Sequence, residues 1–440
     1  MMRCAKRLIF YKLKSLNQKS ILFSLIVCLG LFGYAQDVNV SEIIIEGNKR
    51  TRTNFLKRLA FVKEGSTVDS TRIASDVRRF RLLPSVASAS SKLEKVDDNN
   101  YRLVYTVVEN FAIIPGLNVS QDNNDDLAYR TSVFDFNFLG QNQIIGGFYS
   151  KNVFDSYGFY WEAPNLFTRK LGIGINYQNN VLQEPIFFED ERDVKYKNTS
   201  RAFEIRLMYE HNFKNKFEFG FNIANDDYNY LSGNLPESIP ETLGVDKISA
   251  VGEYEFNNIT NEYQYVDGFR SIFTYSFTLH SNGDNDLLRN FFIGRNDFEY
   301  FKRIGDKGNW ANRLRLGYAT NDTTPFAPFA LDNQLNIRGV GNTIDRGTAS
   351  VVLNTEYRHT ILEKGWFAMQ ANAFVDAGTW QESGGSLGDL IEGKKATVFS
   401  GLGVRFIHKR IFNAVFRIDY GVGIGKKANN GIVFGIGQYF

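Results

Sequence analysis

The sequence predicts two folds in series: a small α+β domain, then an all-β transmembrane barrel of about 16 antiparallel strands. Three observations predict it. Apolar and polar residues alternate, strand after strand, from residue 111 to residue 440. Aromatic residues, 39 Phe and 22 Tyr, fill one side of that alternation, while Pro is held to 8. Mean hydropathy is only −0.28. Strands with one face to lipid and one to water average to such a value, whereas a bundle of membrane helices would be far more apolar.

Residues 1–35 read as a secretory leader. Arg3, Lys6, Arg7, Lys12, Lys14 and Lys19 precede an apolar run at 21–32, with no acid among them. Gly33 and Ala35 put small residues at −3 and −1, so cleavage is expected after Ala35. The run is too short for a spanning helix, which takes about 20 residues. Val27, before Cys28, is not the small residue a lipoprotein site needs. The leader carries six of the positive charges behind the formal net charge of +3, so the remainder stands near −3. The basic character therefore belongs to the leader and gives no support to nucleic-acid binding. Both cysteines, Cys4 and Cys28, leave with it, and with them any disulfide or thiol chemistry.

Residues 36–110 mix helical and strand patterns. A β-branched run at 38–46 ends at Gly47-Asn48. A short helix follows at 53–59, with Thr53 as the expected N-cap. Ile73, Val77 and Phe80 then recur at helical spacing from about Ser70, and Pro84 ends the helix. Strands are expected at 86–93 and 101–108, on either side of the Asp97-Asp98-Asn99-Asn100 turn.

Residues 111–440 form the expected barrel. Phe203, Ile205, Leu207 and Tyr209 alternate with Glu204, Arg206 and Met208. Phe217, Phe219, Phe221 and Ile223 do the same. One face suits lipid and the other a wet lumen. The longer connections fall at 181–199, 230–246, 321–348 and 379–396, on one side of the barrel. Those on the other side are short, as at Gly140-Gln141, except for the one from Asn257 to Gly268. Such asymmetry is normal for outer-membrane barrels. A soluble sandwich would not need Phe and Tyr displayed on so many consecutive strands.

Enzyme and metal patterns are absent from the sequence. His211, His280, His359 and His408 are scattered, without ligand spacing. No nucleophile elbow or Walker loop occurs. Glu189, Asp190, Glu191 and Asp193 form an acidic run read as a solvated outer loop. No cofactor is implied, and the expectation is a protein that is not an enzyme.

The order of pieces resembles a known family. Residues 36–110, with Ile45-Glu46-Gly47-Asn48 and Leu83-Pro84, resemble a POTRA domain. Residues 111–440 resemble the barrel of the BamA/TamA-type outer-membrane assembly superfamily. Ile337-Arg338-Gly339-Val340 resembles that family's VRGF/VRGY motif and falls between the eleventh and twelfth strands, although Val340 replaces the usual aromatic. Phe374-Val375-Asp376-Ala377-Gly378 resembles its FxDxG motif, and 162–167 an early barrel turn. The resemblance implies that the sixth outer loop folds into the lumen, where Arg338 and Gly339 meet Glu356 and Asp376. Residue parity independently puts Asn354, Glu356 and Arg358 on one face, and Gln370, Asn372 and Asp376 on one face. Arg405, Arg417 and Asp419 point inward by the same parity and read as general lumen charge.

The last strand, expected to run to Phe440, resembles a barrel-targeting signal through Phe434 and Phe440. Gly435 and Gly437 in it are expected to weaken its seam with the first strand, which is expected from about Phe111. The implied function is insertion or translocation of unfolded outer-membrane or secreted polypeptides, in contact with outer-membrane lipid. The POTRA domain, in the periplasm of a Gram-negative-type cell, would bind client or partner. The alternative is a solute-conducting outer-membrane channel.

Overall fold

The computed structural model describes residues 38–121, 127–187, 193–283, 286–288, 292–333, 335–341, 345–392, 396–409, 411, 414–425 and 429–440. The expected leader with its cleavage point lies outside the described residues, as do Glu189, Asp190 and Glu191 of the acidic run.

The N-terminal domain runs β1 (Asn39–Glu46), α1 (Thr53–Leu59), α2 (Ser70–Arg81), β2 (Val86–Lys95) and β3 (Asn100–Glu109). β3 is the central strand, parallel to β1 and antiparallel to β2. Ile73 and Phe80 of α2, with Phe55 and Leu56 of α1, pack on Ile43 and Leu103 of the sheet. Asp69 starts α2 by accepting hydrogen bonds from the Thr71 and Arg72 amides at 2.9 and 3.2 Å. Thr53 does not cap α1. It is the first helical residue, and Arg52 stands at the cap without a side-chain bond. The reason is local: Asn48 Nδ2 donates to the Thr53 hydroxyl at 3.0 Å, which fixes it to the preceding turn.

One buried polar residue, unmarked by the apolar periodicity, ties this domain together. Asp76 is fully buried and accepts from the Phe61 amide (2.5 Å), the Val62 amide (3.0 Å) and the Tyr105 hydroxyl (2.7 Å). Burial, then the Asp76 carboxylate, push the Tyr105 hydroxyl well above its ordinary 10.0.

Sixteen long strands make the barrel wall. They are β4 (Ile113–Gln121), β5 (Leu127–Phe138), β6 (Gln143–Lys151), β7 (Asp155–Ala163), β8 (Leu171–Phe187), β9 (Asp193–Asn212), β10 (Asn215–Ser232), β11 (Thr242–Asn257), β13 (Tyr265–Ser281), β14 (Phe292–Ile304), β15 (Gly308–Ala319), β18 (Ala349–Lys364), β19 (Phe367–Gln381), β20 (Thr397–His408), β21 (Val415–Gly423) and β22 (Asn430–Ile436). Among the described residues, three short strands lie between them: β12 (Thr260–Glu262), β16 (Phe329–Leu331) and β17 (Asp345–Gly347). β22 stands beside β4 and closes the ring. Phe217, Phe219, Phe221 and Ile223 are exposed on the outer wall, where lipid would cover them.

The wall is taller than the sequence indicates on one flank. Residues 181–187 and 193–199 form ladder, not loop: Val181 pairs with Thr199 and Phe187 with Asp193. The expected loop at 230–246 is likewise shortened by β10 and β11. β9 has 20 residues, against the roughly 9–11 a spanning strand needs. Above the lipid band the apolar alternation fades while the backbone ladder continues. Ile186, Val194, Tyr196, Leu243 and Val245 form a second core there.

The chain also ends differently from the expectation. β4 starts at Ile113, and Phe111 bridges Ile411 instead. β22 stops at Ile436, and Gly437 has φ +90. That turn carries Tyr439 and Phe440 into the lumen, so Phe440 is not part of the last strand.

The N-terminal domain sits on three consecutive turns of one rim. Arg52 N donates to Gly140 O (2.9 Å), and Asn137 Nδ2 to Thr51 Oγ1 (2.9 Å). Arg58 Nη2 donates to Asn165 O (3.3 Å), and Arg79 Nη2 pairs with Glu210 (2.6 Å). From the domain side, Glu109 accepts the Thr51 and Arg50 amides at 2.7 and 2.9 Å. Burial would raise its pKa, but these bonds hold it below the ordinary 4.5. A depressed acid stabilises the fold above its unfolded pKa, and that stability is lost as pH falls through the lower folded value.

Asp76→Ala strands three donors, each costing about 1–3 kcal/mol. Limited proteolysis of the full chain is expected to cut residues 38–110 in this variant and spare the barrel; an uncut domain contradicts the account.

Candidate loop lock in the barrel lumen

The long connection from β15 to β18 does not stay outside. β16 and β17 pair into a short ribbon, and the tip between them descends into the lumen. Asp332 shapes the tip: its carboxylate accepts the Leu335 amide (3.1 Å), and its carbonyl accepts the Ile337 amide (3.0 Å). Ile337 and Arg338 are both fully buried.

Arg338 forks onto Asp376. Its Nε reaches Oδ2 at 2.8 Å, its Nη2 reaches Oδ1 at 2.9 Å, and its backbone amide also donates to Oδ2, at 3.0 Å. Its Nη1 donates to the Glu356 carboxylate. The guanidinium carbon lies 3.7 Å from the Phe374 ring centroid and 4.5 Å from that of Tyr439. A planar fork suits a carboxylate, and aromatic faces suit the cation above and below.

A wider ring holds the acids. Arg358 donates to Glu356 through Nε, and Arg405 lies 3.4 Å from Glu356 and 2.8 Å from Asp419. Arg417 reaches Asp419 at 3.4 Å. Arg405, Arg417 and Asp419, read from sequence as general lumen charge, thus belong to the same network. Parity had already turned them inward; only the fold joins them to Arg338. Arg313 and Arg315 grip the tip backbone, donating to Leu335 O at 2.7 and 3.2 Å.

The seat under the tip is made of glycine: Gly339, expected in the lock, rests on Gly421, which nothing in the sequence singles out. Gly339 has φ +91, and a Cβ there would lie 2.8 Å from the Gly421 carbonyl oxygen. A Cβ on Gly421 would lie 2.2 Å from the Arg338 carbonyl oxygen. Loop backbone therefore rests directly on wall backbone. Gly435 leaves room for Arg417, whose guanidinium would be 2.6 Å from an added Cβ. Phe434 faces outward and takes no part in the lock, while Phe440 faces Arg313 across 5.2 Å. The four histidines lie apart from the lock, and no group of three or more metal-ligating side chains occurs among the described residues.

The Omp85 superfamily domain matches residues 137–440, and the POTRA family, described as a surface antigen variable number repeat, matches residues 38–110. The chain belongs to the Omp85 superfamily. Among solved structures, this Omp85 chain is similar to BamA from Haemophilus ducreyi lacking POTRA domains 1–3, at 16% identity and TM-score 0.58, over 90% of this chain and 83% of that one. It is similar to CdiB from Acinetobacter baumannii at 14% identity and TM-score 0.61, over 92% and 74%. CdiB from Escherichia coli aligns at 10% identity and TM-score 0.61, over 90% and 75%. At such identities the likeness speaks for the fold. No curated protein matches the chain in sequence. An Omp85 barrel with a POTRA domain places the protein in the outer membrane.

Removing one partner of a buried ion pair costs about 3–5 kcal/mol, because the other is left uncompensated. Arg338→Ala is expected to free the tip, and Gly421→Ala to do so with every charge intact. A cysteine placed at Val340, buried in the locked tip, should then be labelled faster in both variants than in the parent. Unchanged labelling in Gly421→Ala would show that the glycine seat does not hold the loop.

Proposed function

We propose that the protein inserts other polypeptides into the outer membrane, or translocates them across it, without enzymatic chemistry. The N-terminal domain faces the periplasm and receives client or partner. The observation that carries this reading is a barrel of the Omp85 superfamily whose lumen is filled by its own pinned loop. A lumen so filled is a poor conduit for solutes, which disfavours the channel alternative, so the useful surfaces are the wall and the domain on its rim. β2 is an edge strand with unpaired backbone groups, suited to adding an extended client segment. β22 has only seven residues before the chain turns inward, which favours a short ladder against β4 as the opening seam. The outer aromatic wall meets lipid, where an inserted strand must arrive.

Reconstitution tests it. Liposomes holding the protein should accelerate insertion of an unfolded outer-membrane barrel, measured by acquired protease resistance. A cysteine pair that crosslinks β4 (Ile113–Gln121) to β22 (Asn430–Ile436) should abolish that acceleration. A large constitutive ion current with no effect on client insertion would establish the solute channel instead.

A further inference from the structure

The connection from Asn257 to Gly268 is a long crossing on the rim where the N-terminal domain sits. The structure folds it into a hairpin, β12 against the start of β13. The N-terminal domain covers the turns after β5, β7 and β9. The hairpin reaches the other way, to the turns after β14, β18 and β20.

Its root and its tip are held differently. At the root, Asn309 is fully buried; it accepts the Val266 amide at 2.7 Å and donates to the Val266 carbonyl at 2.8 Å. Asp267 accepts the Arg303 amide at 3.0 Å. At the tip, Gln264 Nε2 donates to Glu363 at 2.8 Å, and Lys409 pairs with the same carboxylate at 2.6 Å. Lys409 Nζ also lies 5.1 Å from the Tyr263 ring centroid. Lys409 is 12% and Glu363 41% exposed, Gln264 is buried, and Arg303 pairs with Glu262 and lies 4.3 Å from the Tyr265 ring centroid, so the tip is held by side-chain polar contacts that water can reach and replace. Tyr263 is itself 72% exposed and holds φ +54, a conformation costly for a bulky residue. Three paired residues on each side do not make a stable hairpin tip alone, so the rim contacts fix its position.

The hairpin roofs a space. A cavity of about 570 Å³ is lined on the rim side by Tyr263, Gln264 and Val266, and on the lumen side by Arg358, Gln438 and Phe440. Arg358 belongs to the lock ring, so the cavity lies between the hairpin and the floor of the plugged lumen.

We propose that this hairpin is a strap: it closes the lumen mouth on the side the N-terminal domain leaves open, and it releases at the tip while its root stays attached. The claim concerns access to the lumen and stands whatever the barrel carries.

Accessibility of Gln438 tests it. In full-length protein with Cys4 and Cys28 replaced by Ser, Gln438→Cys supplies a single thiol on the far side of the strap. The probe is a maleimide on a long polyethylene glycol chain, added from the rim side in proteoliposomes. Labelling should be slow with the strap intact. Glu363→Ala with Lys409→Ala should speed it about tenfold, the effect of weakening closure by about 1.4 kcal/mol. A second variant, with residues 261–265 replaced by two glycines, should do at least as much. Folding of each is checked by heat-modifiable gel migration, and if the shortened hairpin does not fold, the point variant decides. Equal rates in parent and variant, or fast labelling of the parent, would overturn the strap.

Discussion

A guanidinium sealed from water must find all of its partners in the protein. Arg338 finds them in two wall carboxylates and two aromatic faces, and in doing so it fixes where a whole outer loop goes. The arrangement is reciprocal. Asp376 would be a buried, uncompensated anion without the loop, Glu356 would keep only Arg358 and Arg405, and the loop tip would be a dangling cation without the wall. Such a network adds little net stability over an apolar filling; its effect is to make one arrangement much better than its neighbours.

The lock also organises the barrel around it. The wall acids that face Arg338 lie on β18, β19 and β21, two of them paired with Arg405 of β20, while the N-terminal domain sits on the turns after β5, β7 and β9. Plug and domain thus occupy opposite sectors. Between them, on the domain's rim, the Asn257–Gly268 crossing spans the remaining gap. The inward turn at Gly437 adds Tyr439 and Phe440 to the lock, so the end of the last strand takes part in pinning the loop. The seam beside β4 is consequently bounded by a strand whose final residues are engaged elsewhere.

Much of this is written in residue order. Period-two alternation such as Phe217-Glu218-Phe219 fixes both the strand and its lipid face. Arg338, Glu356 and Asp376 could be named because parity and a family motif agree on them. Other features leave no local trace. The extension of β8 and β9 beyond the lipid carries only a short apolar alternation, Val194-Lys195-Tyr196-Lys197, whose buried side faces a core assembled from distant segments. Asp76 sits on a buried helix face where periodicity expects an apolar residue, and its three partners come from distant segments. Gly421 looks like any strand glycine until the loop backbone is laid on it. Phe440 read as the last residue of a strand, since one positive φ at Gly437 reverses the chain and a glycine alone does not announce that.

The central claim is that Arg338 and Asp376 are directly coupled inside the folded barrel. A double-mutant cycle on these two residues, read as unfolding free energy of the barrel in lipid, measures that coupling without apportioning the rest of the network. The account predicts a coupling of about 2–3 kcal/mol, at the upper end for contacting groups. Additive single-mutant effects, with coupling near zero, would mean that the loop is held by something else and that the lock does not exist.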